Sequence, residues 1–217
     1  MRMRKKPNLE PRMEACAQWR IADPEAHRGS WRQLYPECKA LWVEIGCGKG
    51  KFTVETAQAN PDVLLIAIER CREAMVMAME KARDMNLTNV YFIDMDVANM
   101  GDCFDVGEID RMFINFPDPW PRSKTAKRRL THRNFLGIYR KVIADGGEIH
   151  YKTDNAKLFA FSLEEFEAVG LETKNVTRDL HANGPVGIMT GYEEKFYALG
   201  TPINRCEIIC RPQEVKE

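Results

Sequence analysis

No stretch of this 217-residue chain approaches the ~18 uninterrupted apolar residues that a membrane-spanning helix needs. The cationic start is not followed by an apolar segment, so no secretory leader is expected. The seven cysteines, Cys16, Cys38, Cys47, Cys71, Cys103, Cys206 and Cys210, contain no Cys-x-x-Cys pair. Cys206 and Cys210 lack the second pair or nearby histidine that a zinc site requires, so no metal is expected. An odd number of scattered cysteines suits a reducing, cytoplasmic setting. Net charge is absent too, with 32 Lys and Arg against 32 Asp and Glu. That counts against a bulk electrostatic hold on a polyanion, so local patches would have to supply any such hold. No internal repeat or low-complexity tract occurs.

One absence is informative by its position. From Arg122 to Ala144 there is no acidic residue, while Arg122, Lys124, Lys127, Arg128, Arg129, Arg133, Arg140 and Lys141 fall within that run. Just before it stands Asn115-Phe116-Pro117-Asp118-Pro119-Trp120-Pro121. A carboxylate between two prolines, beside a Trp and a strip of cations, suits a nucleic-acid base whose phosphates the cations hold. A second cationic group, Arg2, Arg4, Lys5, Lys6 and Arg12, is opposed only by Glu10. The acids of Glu164-Glu165-Phe166-Glu167 read as a solvated helix face.

Upstream, Leu41-Trp42-Val43-Glu44-Ile45 runs into Gly46-Cys47-Gly48-Lys49-Gly50 and then a helical segment. Strand, glycine turn and helix make the first unit of a Rossmann-like fold, the glycines letting backbone approach a ligand. A second apolar strand, Val63–Ile68, ends at Glu69, where such sites accept hydrogen bonds from ribose hydroxyls. The spacing is not the dinucleotide Gly-x-Gly-x-x-Gly, and Glu44 before the turn would repel a pyrophosphate but attract an ammonium. That charge logic favours S-adenosylmethionine over NAD. A third strand, 90–95, delivers Asp96, whose carboxylate and following N–H suit an adenine edge; as a bland alternative it caps the next turn.

The length and the 44% hydrophobic fraction fit one α/β unit. We expect strands at 41–45, 63–68, 90–95, 109–115, 147–152, 171–177 and 203–210. Helices are expected at 50–59, 71–85, 132–144, the last ending at Gly146-Gly147, and 156–169. Ala74, Met75, Ala78, Met79 and Ala82 form an apolar helical stripe, read as core. Alternation of this kind gives a mostly parallel sheet with helices on both faces. Residues 1–40 are expected as a basic, partly flexible extension, with a short helix near Met13–Trp19, before a domain spanning 41–217. Ligands bind at the carboxyl ends of such strands, where Glu44, Glu69, Asp96, Asp118 and Asp154 all arrive.

Five segments carry a resemblance: Val43 to Gly50, Asn115 to Trp120, Lys127 to Leu130, Lys152-Thr153-Asp154-Asn155 and Met189 to Phe196. With Arg2-Met3-Arg4 and Asp179-Leu180-His181, they make the chain similar, over nearly its whole length, to the bacterial tRNA (guanine-N7-)-methyltransferase family. The resemblance implies a class I S-adenosylmethionine-dependent methyltransferase fold, a mostly parallel seven-stranded sheet with its last strand reversed. It implies methylation of guanine N7 in the variable loop of tRNA, by a monomer or homodimer. It places Glu44, Gly46, Gly48, Gly50, Glu69, Asp96 and Asp118 at the cofactor, with Asp118 also catalytic. Arg122, Asp154, Thr190, Gly191, Tyr192 and Glu193 would meet the substrate, and Lys124, Thr125, Ala126, Lys127, Arg128 and Arg129 the RNA. Arg122 and Thr125 stand where the family commonly has Lys and His; Arg keeps the charge but presents a planar fork.

Guanine N7 holds a free lone pair, so the reaction needs alignment rather than a general base. Asp118 would stabilise the positive charge passing to the ring. Asp154 or Glu193 would accept the guanine N1–H and N2–H2 donors, which adenine lacks. Two other readings are weighed. An amino-methylating enzyme would carry Asn/Asp-Pro-Pro-Tyr/Phe, which Asp118 interrupts here. A noncatalytic RNA-binding module has no use for the cofactor acids.

Overall fold

The computed structural model describes residues 8–211. Arg2, Arg4, Lys5 and Lys6 lie outside that range. Seven strands, β1 (Ala40–Ile45), β2 (Val63–Ile68), β3 (Val90–Ile93), β4 (Ile109–Asn115), β5 (Ile143–Thr153), β6 (Glu172–Thr177) and β7 (Asn204–Ile209), form one sheet in the order β3-β2-β1-β4-β5-β7-β6. Pairs from β3 across to β5 are parallel, and β7 runs antiparallel to both β5 and β6. The order reverses between β1 and β4, the position where open α/β sheets bind ligands.

Strand alternation sends side chains into two cores. Leu64, Ile66 and Ile68 of β2 join Val43, Ile114 and Tyr151 on one face, with Leu136 and Tyr139 of α5 (Arg133–Val142) and Phe159 of α6 (Ala156–Ala168). Leu65 and Ala67 join the other, with Val54 of α2 (Lys51–Ala59) and Met75, Ala78 and Met79 of α3 (Arg72–Asp84). The expected stripe of α3 is thus core. On this second face Glu44, Phe113 and His150 stand in register across β1, β4 and β5, two polar residues flanking an aromatic one.

The segment before β1 packs into both cores. Helix α1 (Leu9–Glu14) buries Met13, and Trp19 donates to the Leu87 carbonyl at 2.8 Å. Trp31 is fully buried, stacks on Phe104 and donates at 2.9 Å to the carbonyl of Cys103, the last residue of α4 (Met100–Cys103). Arg12 forms two 2.6 Å bonds with Glu80 of α3, so it is committed within the fold.

Helix α5 ends earlier than expected. It stops at Val142, and β5 begins at once with Ile143 paired to Ile109. The register then shifts so that Glu148 faces Arg111, leaving Gly146 (φ 75°) and Gly147 in a bulge rather than a helix cap. A Cβ on Gly147 would lie 2.6 Å from Ile143 Cγ2 and 2.9 Å from two carbonyl oxygens. Apolar Ile143 is worth more in the sheet than in another helical turn, and the glycines absorb the extra length. A second correction concerns the acids of α6. Glu165 is buried, accepting from the Arg133 backbone N–H at 2.7 Å and from its guanidinium, so this helix face is not wholly solvated.

The glycine turn separates two roles. Gly46, Gly48 and Gly50 all have positive φ, but only Gly50 is crowded, its hypothetical Cβ lying 2.3 Å from Ala78 Cβ and 2.7 Å from Ala78 Cα. Gly50 therefore lets α2 start against α3. Gly50→Ala should cost about 2–4 kcal/mol, combining left-handed strain with overpacking, against about 1–2 for Gly46→Ala, which meets open space. Urea unfolding of both variants checks the order; equal losses would remove the packing role of Gly50.

Candidate active site

A cavity of about 660 Å3 opens over the carboxyl ends of β1 to β4. One wall is Ile45-Gly46, Ile68 to Arg70 and Met95 to Ala98; the other is Asn115 to Asp118, Trp120, Lys127, Arg128, Leu130 and Phe135. Three of the five expected strand-end acids, Glu69, Asp96 and Asp118, line it.

Glu69 is fixed by backbone. Its Oε2 accepts the Gly48 N–H at 2.9 Å and its Oε1 the Cys71 N–H at 2.8 Å. The contact explains how Gly48 serves the cavity without lining it. Asp96 caps the 3₁₀ turn Val97–Asn99 by accepting the Ala98 N–H at 3.0 Å, so the bland reading of its role holds alongside its place in the wall. Its other oxygen meets Arg70 at 3.3 Å.

Glu44 is not in the wall. It is 1% exposed and sits on the α2 face, where Thr53 of α2 donates to Oε2 at 2.6 Å and the Asn115 amide donates to Oε1 at 3.2 Å. Burial pushes its carboxyl up to about 7, against which the bonds from Thr53 and Asn115 and the charge of Lys152 act. Asn115 sits between Glu44 and the cavity.

Asp118 is exposed at the tip of the β4 loop, between two non-glycine residues of positive φ, Phe116 (51°) and Trp120 (39°). Such conformations persist only where surroundings impose them. Arg129 does so: it donates to the Pro119 carbonyl at 3.1 Å and twice to that of Trp120, with its guanidinium 4.2 Å over the Phe161 ring. Arg128 lies over the Trp120 ring at 4.9 Å. Thr125 closes the following turn on the Arg122 carbonyl at 2.8 Å, with Ala126 half-buried beside it.

The acid-free run is therefore not one uniform patch. Arg129, Arg133 and Arg140 are committed to the Trp120 carbonyl, Glu165 and the Val169 carbonyl. Arg122, Lys124, Lys127 and Arg128 are exposed, and no described residue forms an ion pair with any of them.

The late motif lies beside the cavity. Thr190 caps α7 (Gly191–Ala198), its hydroxyl accepting the Glu193 N–H at 2.9 Å, while Glu193 Oε2 accepts the Thr190 N–H. Glu193 is fully buried, paired with Lys152 at 2.6 Å and His181 at 3.0 Å. His181 Nδ1 accepts the Val186 N–H, so Nε2 carries the proton shared with Glu193. Burial lowers the Lys152 pKa, against the pull of Glu193. Tyr192 is 46% exposed; its ring tilts against Phe116 at 5.1 Å, and its hydroxyl reaches half-buried Asp154 at 3.5 Å. Asp154 is thus linked to the cavity's rim only through Tyr192 and Phe116, and buried Glu193 does not line it. Asn115, Lys152 and Thr53 are given no role from sequence, although polar residues on the parity of a buried face are an available signal; Arg129, expected at the RNA, grips the Asp118 loop.

Among the described residues no cluster of His, Cys, Asp and Glu is arranged for a metal, and no helix is long and apolar enough to cross a membrane. A sheet of this order, reversed only at β7, with a cavity over the β1–β4 ends, defines a Rossmann-like methyltransferase fold. Solved structures agree on that fold: a single-site mutant of the 16S rRNA (adenine(1408)-N(1))-methyltransferase from Catenulisporales acidiphilia has a TM-score of 0.63 at 13% identity, covering 91% of this chain and 95% of that one. The 16S rRNA methyltransferase KamB has 0.64 at 12%, covering 85% and 94%. A family model described as "Putative methyltransferase" matches residues 39–206. The tRNA (guanine-N(7)-)-methyltransferase of Geobacillus sp. (strain WCH70) is 42% identical over 217 residues, 100% of this chain and 99% of its own. That of Bacillus subtilis (strain 168) is 41% identical over 209 residues, 96% and 98%. The chain belongs to the tRNA (guanine-N(7)-)-methyltransferase family.

Glu44 generates a pH dependence. Its folded pKa of about 7 lies above the ordinary 4.5, so the neutral form stabilises the fold below that ordinary value, and this is lost as pH rises through about 7. Lys152 and Glu69 are the other charges acting on it. Relative to Glu44→Gln, the wild-type protein should lose roughly 2–4 kcal/mol between pH 5 and 8, several degrees of melting temperature. Parallel melting curves for the two across that range would show that Glu44 does not titrate there.

Proposed function

We propose that the protein transfers a methyl group from S-adenosylmethionine to N7 of a guanine in the tRNA variable loop, in the cytoplasm. The observation that carries this reading is the placement of Asp118 on the rim of the same cavity whose opposite wall presents Glu69 and Asp96. The cavity is of a size that takes a nucleoside-like ligand. Glu69, already oriented by two backbone donors, keeps lone pairs for ribose hydroxyls. Asp96 and the Val97 N–H, one of the donors that a helix start leaves unpaired, suit an adenine edge. The buried carboxylate behind Asn115 favours a cationic ligand over a pyrophosphate. Bound there, S-adenosylmethionine supplies a methyl group on a sulfonium, an electrophile that needs no further activation.

The chain's own residues then have a limited task. N7 carries no proton, so none must be removed before attack. The protein must hold the guanine in line with the methyl group and stabilise the charge that appears on the ring. Asp118 serves the second need as a carboxylate aimed by the strained 116–120 loop. Arg122, Asp154 and the Thr190–Tyr192 turn are assigned to the guanine and its nucleotide, with Asp154 accepting the N1–H and N2–H2 donors. Glu193 is assigned to holding that turn in place, since its oxygens are taken up inside the fold.

Methyl transfer to unmodified tRNA transcripts, with the modified base mapped by chemical cleavage at 7-methylguanosine, tests the proposal; methylation at another atom or base would overturn it. Asp118→Asn should bind tRNA normally while its single-turnover rate falls about 10²-fold, the scale of losing one preorganised electrostatic partner. Wild-type rates would remove Asp118 from the mechanism.

Lys127 and Arg128 flank the cavity without ion-pair partners, so they are assigned to the RNA backbone together with Lys124, while Arg129 is assigned to positioning the Asp118 loop. Neutralising Lys127 and Arg128 together should flatten the salt dependence of tRNA affinity by about two counterions, near one per phosphate contact. Arg129→Gln should leave that slope unchanged and lower the rate. Titration at several salt concentrations separates the two roles; an unchanged slope in the double variant would leave Lys127 and Arg128 as solvated surface.

A further inference from the structure

Helix α7 begins at the turn assigned to the guanine, yet it buries little of itself. Among its eight residues only Glu193 is buried, and Tyr192, Glu194, Lys195, Tyr197 and Ala198 are exposed. Polar contacts therefore do much of the placing, and two lysines supply them in the same pattern. Each takes one carbonyl before Thr190 and one glutamate after it. Lys152 of β5 donates to the Ile188 carbonyl at 3.4 Å and to Glu193 at 2.6 Å. Lys51 of α2 donates to the Met189 carbonyl at 3.4 Å and pairs with Glu194 at 3.0 Å.

Lys51 differs from Lys152 in where it starts and in how far it is buried. It is the first residue of α2, directly after Gly50 of the glycine turn. Gly46 of that turn lines the cavity, and the Gly48 N–H is held by Glu69. The Lys51 ammonium has three N–H donors, and Glu55 at 2.9 Å takes the third, so all are used. A Cβ on Gly191 would lie 3.8 Å from Lys51 Cδ, so the lysine stem passes beside the first residue of α7. The Lys51 side chain keeps 29% of its surface exposed, against 10% for Lys152. Breaking an ion pair at the higher exposure costs little stability, whereas loss of Lys152 would strand the buried Glu193. Lys51 can thus set the position of the turn without supporting the core.

We propose that Lys51 is a positioning residue for methyl transfer. It locks the Thr190–Tyr192 turn to the glycine turn, and so fixes the guanine relative to the methyl donor. The inference rests on the reading above that this turn meets the guanine. In-line attack tolerates little displacement, so a loosened turn lowers the rate, while affinity for tRNA comes largely from phosphate contacts elsewhere.

Lys51→Met keeps the stem and removes the charge. With tRNA and S-adenosylmethionine saturating, its single-turnover rate should fall about tenfold. The dissociation constants for tRNA and S-adenosylhomocysteine should stay within about twofold, and the melting temperature within about 2 °C. Glu194→Gln should also lower the rate, and adding it to Lys51→Met should cost nothing further, because the shared contact is already gone. Amide hydrogen exchange over residues 189–196 should quicken in both single variants. A wild-type rate in Lys51→Met, additive losses in the double variant, or weakened S-adenosylhomocysteine binding would each overturn the proposal. So would a fall of many degrees in melting temperature, which would make Lys51 a support of the fold. If the wild-type protein methylates no guanine in tRNA, the functional reading fails by itself. The exchange comparison then still decides whether Lys51 holds the turn, and unchanged exchange would overturn that.

Discussion

The site depends on one buried carboxylate. Glu44 sits on a central strand, on the face covered by α2, and cannot reach water. Its bonds tie α2 to β1 through Thr53 and β4 to β1 through Asn115. Lys152 on β5 adds a positive charge from the next strand and is itself locked to Glu193 and thus to α7. Removing one partner of such a buried set leaves another uncompensated, which costs about 3–5 kcal/mol. The chain Thr53, Glu44, Asn115 on one side and Lys152, Glu193, His181 on the other therefore ties the cavity wall to the turn at Thr190 that starts α7. A hydrophobic core would pack as well, but it would not orient the Asn115 amide.

A second constraint acts at the loop after β4. Two residues with positive φ bracket Asp118, and the loop keeps this shape because Arg129 grips the carbonyls of Pro119 and Trp120. Three prolines limit the alternatives further. The loop's carboxylate is thus placed by backbone geometry, and Asp118 itself stays exposed. A preorganised charge that need not reorganise suits a reaction in which positive charge moves onto a planar ring.

Charge is divided along similar lines. The sequence is neutral overall, and much of its positive charge is spent inside the fold, as with Arg12 on Glu80 and Arg133 on Glu165. Among the cations that no described residue pairs, Lys127 and Arg128 line the cavity, with Arg122 and Lys124 close by in sequence. A local basic rim on a molecule whose distant field is weak would favour contact of a polyanion at that rim over general adsorption.

The sequence by itself determined the strand–helix alternation, the glycine turn, and the strand-end acids Glu69, Asp96 and Asp118. These are legible because periodicity, turn chemistry and strand-end position are local properties of the chain. It also marked the Pro-Asp-Pro-Trp loop and the acid-free run, and through its resemblance the reversed final strand. Tertiary structure decided the rest. Whether Glu44 faces ligand or core depends on strand parity and on what α2 brings beside it, and neighbouring elements choose Thr53 and Asn115. Arg128 and Arg129 are adjacent and chemically alike, yet one lies at the cavity rim and the other grips the loop, because Phe161 and the Trp120 carbonyl come from elsewhere in the chain. The early end of α5 and the burial of Trp31 and Glu165 have the same cause: each follows from contacts between residues distant in sequence, which no local pattern encodes.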